Sequence, residues 1–110
     1  MPSYIVLFSY TGPAWQRMMQ APGDRTAAIR AAATAVGAAV QSVRWMLGPY
    51  DGFVLLDAPD SATAAAVSVT AMSSGAFSAV QTHELFTQDQ LQSLLGQAAG
   101  ATRDYTPPGG

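Results

Sequence analysis

The stretch Leu47-Gly48-Pro49-Tyr50-Asp51-Gly52 separates two apolar runs in the middle of the chain, Val40–Leu47 and Phe53–Leu56. Its proline presets φ at a corner position, Asp51 can bond to the backbone that follows it, and Gly52 accepts a positive φ at little cost. Both runs carry β-branched and aromatic residues, which are enriched in strands. The stretch therefore predicts a β-hairpin with its turn between these two runs.

Outward from the hairpin, the residue patterns predict the order β-α-β-β-α-β of ferredoxin-like α+β folds. The predicted strands are Tyr4–Tyr10, Val40–Leu47, Gly52–Ala58 and Ala76–Phe86; the main helices are Arg25–Val36 and Ser61–Ser73, with short helices at Trp15–Met19 and from Thr87 to about Leu95. Right-handed crossovers then give a four-stranded antiparallel sheet of order 4-1-3-2 with helices on one face. Residues 1–96 are predicted to form this domain and residues 97–110 a flexible Gly/Pro-rich tail.

The first predicted strand is largely apolar on both faces. One face carries Tyr4, Val6, Phe8 and Tyr10, and the other carries Ile5, Leu7 and Ser9. A strand with one face in water normally alternates apolar and polar residues. The pattern therefore predicts that a second copy of the chain covers the open side of the sheet, in a homodimer or higher homo-oligomer.

The composition argues against several classes of partner. Charged residues make up only 11% of the 110 residues, all five cations are arginines, and the net charge is −2, so the basic surface of a nucleic-acid-binding protein is missing. The absence of cysteine excludes disulfides and thiolate metal sites. No run approaches a membrane-spanning length and the first residues do not form a signal-like segment, so we expect a cytoplasmic protein without a membrane partner.

Several motifs resemble those of the GYD-domain family of small bacterial proteins. Trp45-Met46-Leu47-Gly48-Pro49-Tyr50-Asp51 resembles the family's Trp-x-Leu-Gly-x-Tyr-Asp core, Asp57-Ala58-Pro59-Asp60 is similar to the turn that follows, and Phe86-Thr87 matches the dipeptide before the last helix. The resemblance implies the dimeric α+β barrel group, in which two ferredoxin-like units close their sheets face to face. That group includes cofactor-independent monooxygenases, haem enzymes and isomerases, as well as members without known chemistry, so the fold carries no single mechanism.

His83 is the candidate catalytic residue, as a general base or a haem ligand, because histidine alone titrates near neutral pH without perturbation. The alternative is a structural strand histidine bonded to backbone or to Gln81. Tyr10 and Trp45 are the candidate ligand-binding walls, Tyr10 from the neighbouring strand and Trp45 from across the sheet or from a partner subunit. The unknown strand register decides which face His83 occupies. With one histidine and no visible ligand spacing, neither a metal site nor a cofactor is predicted.

The signature residues Gly48, Tyr50 and Asp51 are assigned to structure, with Asp51 capping the turn and Tyr50 packing over the hairpin. Two functions remain open. One is binding of a small apolar or aromatic molecule, with cofactor-independent proton transfer or oxidation as its chemistry. The other is a non-catalytic assembly module whose sheet faces pack together in an oligomer.

Overall fold

The computed structural model describes all 110 residues. Its elements are β1 (Ser3–Tyr10), α1 (Gly12–Gln20), α2 (Arg25–Ala35), β2 (Ala39–Trp45), β3 (Gly52–Asp57), α3 (Ser61–Ser73), β4 (Phe77–Leu85) and α4 (Gln88–Thr102). Each helix begins after a Thr or Asp side chain that accepts a hydrogen bond from a backbone N–H of the first turn. Such caps satisfy donors that have no partner inside the helix, and they explain why these starts are visible in the sequence.

The four strands form one antiparallel sheet in the order β2-β3-β1-β4, which reads 4-1-3-2 from the opposite edge. On the central strand β1, Val6 lies opposite Val54 of β3 and Thr82 of β4. Helices α2 and α3 pack on the sheet over β2 and β4 respectively. The architecture is a ferredoxin-like α+β fold with one additional helix after β1 and another after β4.

The core lies between the helices and one face of the sheet. Along β1 the residues Tyr4, Val6, Phe8 and Tyr10 are buried, and the intervening residues are half-buried. The other side of the sheet carries the half-buried apolar residues Ile5, Leu7, Phe53 and Leu55 and is covered by no element of the chain. We call this side the open face. Within one chain, therefore, only one of the two apolar faces of β1 has a covering layer.

The hairpin between β2 and β3 has a longer loop than a tight turn, and it is closed by a hydrogen bond from the N–H of Met46 to the carbonyl of Asp51 at 2.9 Å. The prediction that Gly52 supplies the positive φ is wrong, because Gly48 does so at +136°. Gly52 is needed for space instead. A Cβ there would lie 2.5 Å from Cζ of Phe8 and 2.8 Å from the carbonyl oxygen of Arg44.

Helix α4 differs most from the predicted boundaries, since it continues past Leu95 to Thr102. Its capping box at Thr87 and Gln90 forms as expected. Gly96 does not end the helix because an interior glycine costs only about 1 kcal/mol, and the alanines that follow favour helix. No residue of α4 is buried, and the radius of gyration of 17.7 Å exceeds the roughly 13 Å of a compact domain of this length. Helix α4 therefore projects from the body of the fold.

Candidate ligand-binding site

A cavity of about 210 Å³ lies between α2, α3 and the core face of the sheet. Ten of its fourteen lining residues are hydrophobic. The sheet contributes Val6, Phe8, Val54, Phe77 and Val80, the helices contribute Arg25, Ala28, Ile29, Ala32, Val67, Ser68, Thr70 and Ala71, and Ser74 follows α3. The cavity exists because α2 and α3 present alanines where larger side chains would fill the space above the sheet.

The buried hydroxyl of the cavity, on Ser68 of α3, is satisfied within the protein. The hydroxyl of the buried Ser68 shares a hydrogen bond with the hydroxyl of Thr82 and donates a longer one, 3.4 Å, to the carbonyl of Ala64. Because these hydroxyls are already paired, they give an incoming molecule little hydrogen-bonding capacity. The floor of the cavity is therefore suited to an apolar group.

An open groove of about 440 Å³ adjoins the cavity between α1, the start of α2 and the start of β4. Its lining residues are Tyr10, Ala14, Arg17, Met18, Ala21, Gly23, Arg25, Ser74, Ala76 and Phe77. Arg25, Ser74 and Phe77 line both spaces. The apolar cavity thus opens beside a groove that contains two arginines.

Tyr10 is the centre of an aromatic cluster at the groove. Its ring stacks on Phe77 with centroids 5.1 Å apart and meets Trp15 edge-on at 5.0 Å. The indole Nε1–H of Trp45 donates a hydrogen bond to the Tyr10 hydroxyl oxygen at 3.2 Å. The structure therefore brings together two of the predicted site residues, Tyr10 and Trp45, and places the first of them on the groove wall.

His83 lies elsewhere. It pairs with Ile5 of β1 and so belongs to the open face, whereas Tyr10 belongs to the core face. Its side chain is exposed, and its Nε2 lies 3.2 Å from the amide oxygen of Gln81. Within one chain the sheet therefore separates His83 from Tyr10 and Trp45, and the predicted arrangement with these two residues as walls around His83 does not form there.

The signature residue Asp51 bonds to the C-terminal end of β1, where Tyr10 lies. The predicted cap of the turn by Asp51 does not form. The carboxylate of Asp51 instead accepts a hydrogen bond from the backbone N–H of Tyr10 at 2.8 Å. Its own N–H donates to the carbonyl of Phe8, also at 2.8 Å. Tyr50 is half-buried in the loop. Asp51 therefore attaches the hairpin loop to the strand that carries Tyr10.

The carboxylates with shifted pKa values lie outside the cavity and the groove. Hydrogen bonds from Gln41 and Ser3 lower the pKa of Asp57, and hydrogen bonds from Thr63 lower that of Asp60. Burial, followed by the effect of the Glu84 carboxylate, raises the pKa of Tyr4. Nowhere in the chain do three or more His, Cys, Asp or Glu side chains converge on a common point. No helix combines the length and the apolar character needed to cross a membrane.

The fold is similar to that of several crystal structures. TTHA0845 from Thermus thermophilus has a TM-score of 0.52 and 22% identity, over 79% of this chain and 95% of its own. MtbAldR has a TM-score of 0.57 and 13% identity, over 79% of this chain and 54% of its own. FFRP-DM1 has a TM-score of 0.51 and 11% identity, over 78% of this chain and all of its own. At these identities the likeness concerns the fold alone.

No curated relative matches the chain at a significant level. The family description that does match is the GYD domain, over residues 4–95, which include both the hairpin signature and the strands that surround the cavity. The chain therefore belongs to the GYD-domain family.

Proposed function

We propose that this protein binds a small apolar molecule, with an aromatic ring as its core, in the cavity between α2, α3 and the sheet. The observation that carries the proposal is the unfilled, predominantly hydrophobic volume of about 210 Å³. An engineered apolar cavity of about 150 Å³ already accepts benzene, so this volume suits one substituted ring. The neighbouring groove of about 440 Å³ provides room for a substituent.

The energetics of packing support a ligand at this position. Atoms that line an unfilled space lack the dispersion contacts that a close-packed interior would give them. A ring placed between Ile29, Val67 and Phe77 restores contacts that α2 and α3 cannot make with their alanines. Binding is therefore expected to raise the midpoint of thermal unfolding.

The test uses two neutral ring compounds, indole and phenylacetamide, titrated into ¹⁵N-labelled protein. Saturable shifts of amides in α2, α3 and β4 are expected. Ala32 lines the cavity, so Ala32→Leu fills it and weakens binding at least tenfold, whereas Ala31→Leu places the same side chain on the exposed side of α2 and leaves binding unchanged. Absence of saturable shifts with both compounds, or equal effects of the two variants, contradicts the proposal.

A second candidate function, assembly of a homo-oligomer, is favoured by the open face. Ile5 lies opposite Leu55, and Leu7 lies opposite Phe53, so four apolar side chains form a continuous centre. Polar groups surround it, among them the hydrogen-bonded Ser3, Gln41 and Asp57 at one end and Gln81 with His83 on β4. An apolar centre with a polar rim is the usual composition of a protein interface. The occupant we propose is a second copy of the same chain, with the sheets face to face.

Helix α4 adds to the case for assembly. Leu91 and Leu95 lie on one side of it and are 40% and 54% exposed. Isolated helices shorter than about 12–15 residues are marginal in water, and α4, with 15 residues, also contains Gly96 and Gly100. A helix with these properties gains stability when its leucines pack on a partner. In an oligomer of this chain, the open face and α4 provide two apolar surfaces for mutual burial.

Sedimentation velocity at micromolar concentration tests assembly. Leu55→Arg, in the centre of the open face, is expected to give monomers. Val69→Arg is the control, because Val69 is 63% exposed on α3, away from the open face, and its replacement leaves the association state unchanged. A wild-type protein that sediments as a single monomeric species contradicts the assembly proposal and leaves ligand binding by the monomer to be judged by titration.

His83 enters these proposals as the chain's only histidine, the residue type that most often serves as a general base. Proton transfer by His83 requires a substrate on the open face, because the cavity lies on the other side of the sheet. We therefore propose cavity binding as the principal function, and we treat catalysis at His83 as a separate proposal that a single substitution tests.

A further inference from the structure

Arg25 occupies the junction between the cavity and the groove. It is the first residue of α2, its side chain is half-buried, and it lines both spaces. The N-cap residue Asp24 directs its carboxylate to the N–H of Ala27, so the acid next to Arg25 in the sequence is engaged by the helix itself. The guanidinium of Arg25 is therefore a charged group at the entrance of an otherwise apolar cavity.

Apart from the helix-capping Asp24, no acidic residue accompanies Arg25 at the cavity or the groove. Arg17 and Arg25 are the only charged residues that line the cavity or the groove, and neither space is lined by Asp or Glu. By contrast, Arg30 and Arg44 donate to the backbone carbonyls of Val40 and Val43, at 2.8 and 3.1 Å. Two arginines and no acidic lining residue make this end of the cavity electropositive, although the chain as a whole carries a net charge of −2.

The aromatic groups extend the apolar surface up to these arginines. Phe77 lines both spaces and stacks on Tyr10, which lines the groove. A ring bound in the cavity would therefore contact aromatic walls, and a substituent on that ring would lie near the guanidinium at the entrance. Arginine binds carboxylates with two parallel, charge-assisted hydrogen bonds, which a neutral amide cannot reproduce.

We propose that the ligand of this cavity is an aromatic carboxylic acid bound in its ionised form, with its ring between α2, α3 and the sheet and its carboxylate at Arg25, assisted by Arg17. This inference rests on the proposed ligand-binding function and goes beyond it by naming the chemical class of the ligand. It also identifies Arg25 as the residue that selects acids over neutral compounds of the same shape.

The test compares phenylacetate with phenylacetamide, which has nearly the same shape but no charge, by calorimetric titration at pH 7. Phenylacetate is expected to bind wild-type protein at least tenfold more tightly, the effect of one charge-assisted hydrogen bond. In Arg25→Gln the ratio of the two affinities falls toward one, because Arg17 is the only cation left at the entrance, and this ratio is the readout even if both affinities change. Arg25→Lys keeps the charge without the planar fork and retains part of the preference.

Arg103→Gln is the control. Arg103 follows α4 and lines neither the cavity nor the groove, so this variant keeps the full preference for phenylacetate. Circular dichroism verifies that each variant is folded. If phenylacetamide binds but phenylacetate binds no more tightly, or if Arg25→Gln keeps the preference, the acid-selective role of Arg25 is wrong while cavity binding stands. If neither compound binds, and indole does not bind either, the proposed function itself fails.

Discussion

The carboxylate of Asp51 accepts a hydrogen bond from the backbone N–H of Tyr10 at 2.8 Å, across 41 positions of sequence. The N–H of Asp51 also donates to the carbonyl of Phe8. Phe8 and Gly52 form the last pair of the β1–β3 ladder, so this bond lies just beyond the end of the ladder. The β1–β4 register shifts between Ser9 and Tyr10 at the same level. The Asp of the family signature therefore extends the sheet with side-chain bonding where the backbone ladder ends, and it positions Tyr10 at the groove.

We predict that Asp51→Ala destabilises the protein by about 1.5–3 kcal/mol, the range for loss of a hydrogen bond to a charged group, because the N–H of Tyr10 loses its partner. Asp51→Asn keeps an acceptor oxygen and costs less. Urea unfolding of both variants measures the difference, with Asp104→Ala, an exposed carboxylate after α4, as the control. If Asp51→Ala is as stable as Asp104→Ala, the bond to Tyr10 has no structural importance.

The elements that could be predicted from the sequence are those that depend on neighbouring residues. Helix starts follow from side chains such as Asp24 and Asp60 that cap the first turn. The hairpin follows from the turn residues between two apolar runs, and the crossover rule then restricts the strand order. The end of α4 could not be predicted in this way because the cost of Gly96 in the helix is small, so alanines beyond it decide where the helix stops.

Turn rules predict that residue 52 must be glycine because of its backbone conformation, whereas the structure shows that it must be glycine for lack of space. We predict that Gly52→Ala destabilises the protein by about 1–3 kcal/mol, the usual cost of overpacking, because its Cβ would meet Phe8 and the backbone carbonyl of Arg44. Gly12→Ala is the matched control, since no atom lies within 4 Å of a Cβ built there. Equal stability of the two variants in thermal unfolding contradicts this account.

The candidate site depended on tertiary information that the sequence does not contain. The cavity is the space left between alanines on α2 and α3, which are far apart in the chain and become neighbours only in the folded protein. The face of His83 depends on strand register. Because His83 pairs with Ile5, and Ile5 and Tyr10 alternate to opposite sides of β1, the register separates the two predicted site residues.

The stability of the folded protein at low pH is expected to depend on Asp57. Its carboxylate accepts hydrogen bonds from Gln41 at 2.6 Å and from Ser3 at 2.7 Å, and these lower its pKa below the ordinary 3.8. A group whose pKa is lower in the folded state stabilises the fold above its unfolded pKa, and that stability is lost as the pH falls through the folded value. We therefore expect the contribution of Asp57 to decline below about pH 4, near the ordinary aspartate pKa.

An NMR titration of the Asp57 carboxyl group measures this effect. Gln41→Ala removes the larger of the two hydrogen-bond contributions and should raise the pKa of Asp57 toward 3.8. Gln97→Ala, on the projecting helix α4, should leave the pKa of Asp57 unchanged. An unchanged pKa in Gln41→Ala would show that the hydrogen bond from Gln41 does not hold this carboxylate ionised.

His83 is the candidate catalytic residue of the sequence, with a structural strand histidine as the alternative. Because His83 is exposed on the open face, we expect His83→Ala to change the free energy of unfolding by no more than about 0.5 kcal/mol, as ordinary surface substitutions do. Binding of indole and phenylacetamide in the cavity should also be unchanged. Val80→Ala, on the same strand but facing the cavity, is the comparison and should alter the affinity for both compounds.

Two readouts separate the roles that remain for the histidine. If His83→Ala weakens binding of the ring compounds and Val80→Ala does not, the ligand lies on the open face and the cavity is not the site. If binding is unchanged but sedimentation velocity shows a lower association state, His83 contributes to the interface between copies, since it lies beside the apolar centre formed by Ile5 and its neighbours. Unchanged binding and unchanged association exclude His83 from both the cavity and the interface, and the hydrogen bond to Gln81 is then the contact that its replacement removes.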